Sequence, residues 1–262
     1  MTAFDDLMQQ ARQGRLDVTA DWSQGRASFG GVVAAAAHEA MAQQLVDDRP
    51  LRAMAVSFVG PVAPDVPVSV TSDVLRQGRS VTQAEARLDQ EAGTMLAAHG
   101  SFGLPRESGL RVSAPPAPSV VPPGEAASLP LTAGMTPAFL EHFDLRFCIG
   151  GFPFSGSRQR SMGGWMRFRQ PPKALTPSHL IALIDTWPPA VLPMLEQPAP
   201  ASSLSWSLEL IHPLPELAPD DWLLYEAVIE HALEGYSQTR AAVWSDRGDL
   251  IALSHQTVVV FD

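Results

Sequence analysis

The amino-acid sequence predicts an α+β fold in which two tandem copies of one unit each wrap an antiparallel β-sheet around a long central helix. The first observation behind this prediction is that an apolar helix followed by four short strands occurs twice along the 262 residues. The second is that the end of the first copy aligns without a gap on the end of the second. An apolar content of 45% is enough to build both cores.

The first predicted helix lies within residues 29–45, which read FGGVVAAAAHEAMAQQL. These residue types favour helix, and residues 32–37 are apolar on every side, which is typical of a buried helix. Four strand candidates follow: AMAVSFVG, VPVSVTSDVL, SVTQAEARL and TMLAAHGSF. Their β-branched or alternating residues, and the Pro-Asp, Gly-Arg and Ala-Gly turns between them, predict an antiparallel meander.

The second copy begins with a predicted strand, SMGGWMRFR, in which Trp165 and Arg167 alternate with Met166 as in a half-buried strand. A helix is predicted next, at TPSHLIALIDTW, with Thr176 as its N-cap. Pro188 forbids its continuation. Four further strand candidates complete the copy: SSLSWSLELI, WLLYEAVIEHAL, YSQTRAAVW and LIALSHQTVVVF.

A proline-rich stretch separates the two copies. Residues 105–130 contain seven prolines among Ser, Ala, Gly and Val, a composition that indicates a linker or a wrapped connection. We therefore expect an N-terminal unit at 1–104, a linker at 105–135 and a C-terminal unit at 136–262.

A gap-free alignment supports duplication. The segment from Val81 aligns on the segment from Tyr236 at a constant offset of 155, so that Gln83 meets Gln238 and both copies share a turn glycine. The alternative is that two unrelated meanders share only their alternation.

Charge and composition exclude several classes of protein. A formal net charge of −10 offers nucleic acid no electrostatic attraction. The single cysteine, Cys148, cannot form an internal disulfide, and no apolar stretch approaches the roughly 20 residues of a membrane span. We expect a cytoplasmic protein with no membrane span and no nucleic-acid partner.

Several sequence segments together resemble one known family. In the first copy they are WSQGR from Trp22, FGG from Phe29, SFVGPV from Ser57 and GRS from Gly78; in the second they are IDTWPPAV from Ile184, SSLSWSLELIHP from Ser202, WLLYE from Trp222 and IALSHQTVVV from Ile251. In order and spacing they resemble the acyl-CoA thioesterase II-like family of double hot-dog proteins. The resemblance implies a hydrolase that cleaves acyl-CoA thioesters and needs no metal or redox cofactor.

The resemblance also implies a catalytic set in the second copy: Asp185, Ser203 and Gln256. Ser202 or Ser205 would serve with a small slip in the alignment, and the family more often has threonine at the position of Ser203. The threonine methyl stiffens the rotamer, which a serine lacks.

The same residues, considered without the family, leave alternatives open. Asp185 is expected in the last turn of an apolar helix, where the helix dipole and burial disfavour a charged carboxylate and so favour proton uptake. A solvated aspartate is the alternative. Gln256 shares a strand face with Ser254, and an edge or solvent-facing glutamine is equally consistent. Ser203 is expected on one face with Ser205, opposite the apolar residues of its strand, so that a polar outer surface also explains it.

Gly30 and Gly31 precede the first long helix, where backbone N–H groups can stabilise developing negative charge; the alternative is close packing. The expected mechanism has these amides polarise the thioester carbonyl while Asp185 and Gln256 activate a water and Ser203 supports them. At the offset of 155 the counterpart of Gln256 is Ser101, so we expect one active site per chain.

Other signals are weaker. The sequence has no G-x-S-x-G and no His-Glu-x-x-His motif. The arginines at 158, 160, 167 and 169 could contact CoA phosphates or be solvated. A catalytically silent acyl-thioester-binding protein, or a hydratase or dehydratase with a histidine–acid pair, are the competing functions. We expect a homodimer.

Overall fold

The chain forms two compact units in the computed structural model, which describes residues 3–132, 134 and 136–261. The first unit contains the described residues up to 115 together with 137–139 and 176–182. The second contains the described residues of 116–136, 140–175 and those from 183 onward. The domain boundaries expected from the sequence stay a prediction.

The described residues of the first unit contain two complete helices and seven strands, and residues 177–182 of this unit belong to a third helix that is given below. The two complete helices and the seven strands are α1 (Phe4–Arg12), β1 (Arg15–Leu16), β2 (Ser23–Gln24), β3 (Ala27–Ser28), α2 (Gly30–Gln43), β4 (Leu51–Phe58), β5 (Val68–Gln77), β6 (Val81–Gln90) and β7 (Gly93–Gly103). The predicted central helix is confirmed as α2, whose residues from Gly31 to Met41 are buried. It packs against β5, β6 and β7.

The strands of the first unit pair in the order β1-β5-β6-β7-β4, all antiparallel, while β2 and β3 form a separate hairpin. The prediction of a simple meander is correct for β5 to β7 and wrong for β4, which pairs with β7 instead of β5. The segment that follows β4 contains Pro61, Pro64 and Pro67. Because proline cannot donate a ladder hydrogen bond, this segment forms a long connection and not a tight hairpin.

The second unit contains seven strands. They are β8 (Ala127–Ser128), β9 (Phe143–Ile149), β10 (Ser161–Phe168), β11 (Ala201–Leu210), β12 (Leu223–Leu233), β13 (Tyr236–Ser245) and β14 (Leu250–Val260). They pair in the order β11-β14-β13-β12-β10-β9-β8. As in the first unit, the first of the four repeated strands pairs with the last. The repeated order of one helix and four strands is confirmed, and β13 begins and ends 155 positions after β6.

The helix of the second copy, α3 (Pro177–Ile184), has 8 residues, whereas α2 has 14. Its first turn begins with a hydrogen bond from the Leu180 N–H to the Thr176 carbonyl. The Thr176 side chain lies 2.7 Å from His179 Nδ1. Because the helix ends at Ile184, Asp185 is the residue that follows it. The expectation that Asp185 occupies the last turn is wrong by one position.

Part of the predicted linker packs against the second unit. Trp165 was expected to alternate with Met166 in a half-buried strand, and the structure buries both residues. Trp165 forms a cluster with Leu224 and Trp244, against which Ala117 and Val120 pack. The indole Nε1 donates a hydrogen bond to the carbonyl of residue 121 at 2.8 Å. The stretch from 117 to 126 is thus a wrapped connection. Residues 133 and 135 of the predicted linker lie outside the described residues.

None of the helices in the described part of the chain is both long enough and apolar enough to cross a membrane.

Candidate active site

Gln256 is the residue at which the three predicted catalytic side chains meet. Its strand, β14, lies between β11 and β13, so the alternative of an edge-strand residue is excluded. The amide Nε2 donates to Ser203 Oγ at 2.8 Å and to Asp185 Oδ1 at 3.3 Å. An ionised carboxylate can only accept hydrogen bonds, so the amide nitrogen is the atom that faces Asp185. The structure therefore brings Asp185, Ser203 and Gln256 together.

Ser203 reaches this site because β11 contains a β-bulge. Ser203 pairs with Val258 and Ser205 pairs with Thr257, so Leu204 is the extra residue between two consecutive partners. The bulge places Ser203 on the face of β14 that carries Gln256 and Val258. The expectation that Ser203 shares a face with Ser205 is therefore wrong.

The alternatives for the site hydroxyl lie outside this arrangement. Ser202 and Ser205 are both exposed, whereas Ser203 is half-buried. Among the three serines, Ser203 is the one whose hydroxyl bonds to Gln256.

Asp185 is held by the turn that follows α3. Thr186 Oγ1 donates to the Leu183 carbonyl at 2.7 Å, and the Trp187 indole Nε1 donates to Met166 Sδ at 3.2 Å. The buried Trp187 ring stacks on Tyr225 with centroids 5.4 Å apart. These contacts fix the backbone of the turn, while Asp185 itself remains half-buried and accessible.

Tyr225 contributes to the electrostatics around Asp185. Burial raises the pKa of Tyr225, and the negative charge of Asp185 raises it further. Both effects disfavour a second anion near the carboxylate. The phenol therefore stays protonated and neutral beside Asp185.

The first copy has a glycine where the second copy has Gln256. Gln256 pairs with Thr239, whose counterpart at the offset of 155 is Ala84, and Ala84 pairs with Gly100. A Cβ on Gly100 would lie 3.1 Å from Met41 Sδ in α2. The predicted counterpart, Ser101, is wrong, because the turn of the second copy is one residue longer. The paired residues Asp89 and Thr94 enclose four residues, whereas the equivalent pair, Trp244 and Leu250, encloses five, which shifts the register by one residue.

Gly31 is packed tightly at the start of α2. A Cβ at this position would lie 2.5 Å from the Phe29 ring and 3.0 Å from the Ala182 carbonyl. Close packing therefore explains this glycine. The role of the Gly30 and Gly31 amides at the thioester carbonyl stays a prediction.

The arginines of the predicted basic group are mostly engaged with the protein. Arg160 donates to the carbonyls of Ile229 and Glu230. Arg169 donates to backbone carbonyls at 141 and 143, and the Arg167 guanidinium lies 4.3 Å from the Trp222 ring centroid. Arg158 is exposed. These contacts indicate a structural role for Arg160, Arg167 and Arg169 rather than a phosphate site.

A cavity of about 190 Å³ lies elsewhere in the second unit. It is lined by residues that include Ser128, Leu140, Arg146 and Arg169, and by none of the three candidate catalytic residues. Across the described residues, no group of three or more His, Cys, Asp or Glu side chains is arranged to hold a metal ion.

The fold is that of a double hot-dog protein. The model of the acyl-CoA thioesterase N-terminal domain matches residues 18–103, and that of the C-terminal domain matches residues 119–260. The chain therefore belongs to the acyl-CoA thioesterase family.

Solved structures share the fold along the whole chain. A conserved protein of unknown function with a hot-dog fold from Alicyclobacillus acidocaldarius has 24% sequence identity and a TM-score of 0.85, over 100% of this chain and 99% of its own. The tesB protein of Mycobacterium avium subs paratuberculosis has 16% identity and a TM-score of 0.78, over 100% of both chains. The acyl-CoA thioesterase II TesB2 of Mycobacterium marinum has 16% identity and a TM-score of 0.72, over 99% and 98%. No curated protein matches the sequence.

Proposed function

We propose that this protein hydrolyses acyl-CoA thioesters to a free acid and CoA, with Asp185, Gln256 and Ser203 as its catalytic residues. The observation that carries the proposal is the Gln256 amide, which bonds to Asp185 and Ser203 together. Family membership supports the reaction class. The hydrogen bonds from the Gln256 amide to Asp185 and Ser203 support the choice of residues.

The hydrogen bonds assign a role to each atom. Because Nε2 of Gln256 donates to both neighbours, its Oε1 is the atom that accepts a hydrogen bond from the attacking water. Asp185 is the general base that takes the other proton of this water. Ser203 Oγ accepts from Gln256, and its own proton is directed to the reacting group.

The reaction needs only the thioester and one water molecule. The water oxygen bonds to the thioester carbon while its proton moves to Asp185, which gives a tetrahedral oxyanion. Collapse of this intermediate breaks the carbon–sulfur bond and expels the CoA thiolate. The thiolate takes the proton from Asp185, which restores the carboxylate.

Thiol release from acyl-CoAs of different chain length tests the proposal. General acid–base groups contribute roughly 10²- to 10⁴-fold, so we expect Asp185→Ala and Gln256→Ala each to lower kcat at least about 100-fold. Ser203→Ala should lower kcat less, because it removes only a supporting hydroxyl.

Ser205→Ala is the matched control, since this exposed serine lies beside the bulge and outside the site. Its thiol release should equal that of the wild type. Binding of acyl-CoA without thiol release would contradict hydrolysis and identify a binding protein. Hydration of an enoyl-CoA would identify a hydratase.

A further inference from the structure

Two hydroxyl-bearing residues of β13 lie on the same face of the sheet as Gln256. Thr239 stands directly opposite Gln256, and Ser237 stands opposite Val258. Directly opposed residues of an antiparallel pair have Cβ atoms about 5 Å apart on one face. The polar side chains of the candidate site therefore continue from Ser203 and Gln256 onto a third strand.

The hydroxyl of Ser237 has no hydrogen-bond partner among the described residues. Ser237 is 1% exposed, and its Oγ makes no hydrogen bond to any residue that the structure describes. A buried hydroxyl without a partner costs free energy, because it loses its bonds to water and gains none in return. A ligand group that bonds to this hydroxyl would recover that cost.

In the first copy, the equivalent hydroxyl forms a hydrogen bond with another side chain of the protein. Thr82 is the counterpart of Ser237 at the offset of 155; it is 1% exposed and its Oγ1 accepts a hydrogen bond from Arg49 Nη1 at 2.9 Å. The counterpart of Thr239 is Ala84, which has no hydroxyl. The second copy thus has two hydroxyls where the first has one. The hydroxyl that corresponds to that of Thr82 is without a partner in the part of the chain that the structure describes.

The depth of these residues indicates which part of the substrate they face. Asp185, Ser203 and Gln256 are half-buried, whereas Thr239 is only 8% exposed. The CoA moiety is large and charged, and such groups stay close to solvent. The acyl group is therefore the part of the substrate that suits residues more deeply buried than the site.

We propose that Ser237 and Thr239 bind a hydroxyl or oxo oxygen on the acyl chain, so that the substrate is an oxygen-substituted acyl-CoA. This inference rests on the proposed function, because it names the substrate class of the same site. A hydroxyl side chain can donate to an oxo oxygen and can also accept from a hydroxyl, so both substituents fit.

The test compares kcat/KM for 3-hydroxyhexanoyl-CoA and hexanoyl-CoA. We expect the wild type to prefer the hydroxylated substrate at least about tenfold, which is the effect of roughly 1.4 kcal/mol. Thr239→Val and Ser237→Ala should each lower this ratio severalfold, because kcat/KM should fall more for 3-hydroxyhexanoyl-CoA than for hexanoyl-CoA. The Tm of Ser237→Ala should not fall, since the variant removes an unpaired hydroxyl.

Gln238→Ala is the matched control, because adjacent strand residues point to opposite faces; it should keep the wild-type ratio. Equal rates with both substrates in the wild type, or a ratio unchanged in both variants, would overturn the inference. Thiol release from neither substrate would contradict the proposed function instead. In that case, dissociation constants from calorimetry test the inference. Tighter binding of 3-hydroxyhexanoyl-CoA than of hexanoyl-CoA, weakened in both variants, supports it. Equal binding of the two compounds overturns it.

Discussion

His38 lies in a buried environment that keeps its imidazole neutral. Its Nδ1 lies 2.8 Å from Ser178 Oγ, which donates its proton to Glu39 Oε1 at 2.6 Å. Because that hydroxyl proton is already donated, Nδ1 carries the proton of the neutral ring. Burial lowers the pKa of His38 to about 4, although the charge of Glu39 acts in the opposite direction.

Stability should depend on pH through His38. Its pKa lies near 6.5 in the unfolded chain and near 4 in the fold, so between these values the unfolded state binds more protons and stability falls as pH falls. We expect the free energy of unfolding in urea to drop by about 2 kcal/mol from pH 7.5 to pH 5 through this group.

His38→Gln should flatten that dependence, since an amide does not titrate in this range. Glu39 does not produce the same slope. Burial acts to raise its pKa, but hydrogen bonds from Arg12 and Ser178 hold the pKa below its usual range. The stability from Glu39 is therefore lost only as pH falls through that lowered value. If the free energy of unfolding of His38→Gln depends on pH as that of the wild type does, His38 is not the group responsible.

Single residues could be predicted from sequence only where local pattern fixes them. Gln256 was placed correctly in the last strand, whereas Asp185 lies one position beyond the end of its apolar helix. The face of Ser203 was wrong, since alternation assumes an unbroken strand and Leu204 interrupts it. The counterpart of Gln256 was wrong because the turn between β13 and β14 has one residue more than the turn between β6 and β7, and a shift of one residue in register exchanges the two faces.

At the scale of elements, the long strands followed from alternation and turn residues, and the two central helices followed from residue type and from the signals at their ends. The pairing of β4 with β7 and of β11 with β14 did not. Alternation shows that a segment is a strand, but it does not show which strand becomes its neighbour. That choice depends on non-local contacts between the helix and the sheet.

The contact between α2 and β7 leaves no room at Gly100. A Cβ there would lie 2.8 Å from the Phe102 ring and 3.1 Å from Met41 Sδ, and both side chains are fully buried. We expect Gly100→Ala to lower the free energy of unfolding by about 1–3 kcal/mol, as overpacked cores do. Gly109→Ala is the control, since its Cβ would contact nothing within 4 Å. Equal urea midpoints for the two variants would contradict this packing.

At the scale of the whole molecule, the repeated order of elements and the alignment at the offset of 155 revealed the duplication, and composition revealed the proline-rich break between the copies. It did not decide between a free linker and a wrapped connection. That outcome depends on Trp165 and Trp244, because residues of the proline-rich segment pack on these side chains and shield them from solvent. A proline-rich segment can supply this cover through its carbonyl groups without forming a strand.

Trp165→Phe should loosen the wrapped connection. The variant removes the hydrogen bond to the carbonyl of residue 121, and we expect a loss of about 1 kcal/mol in stability. Limited proteolysis should cut the segment 105–126 faster than in the wild type. Val121→Ala keeps the carbonyl and should be digested as the wild type is. Identical digestion of Trp165→Phe and the wild type would show that the segment is held by other contacts.

The two central helices differ in length, with 14 residues in α2 and 8 in α3. Two identical single-unit subunits would have to carry the same helix, because one gene would encode both. Joining the copies in one chain removes that constraint, and each can change without the other. One copy retains a full-length helix over its sheet, and the other gives up helical turns and gains a carboxylate at the point where its helix stops. Such a difference between the two copies is possible in a fused chain and impossible in a symmetric pair of identical subunits.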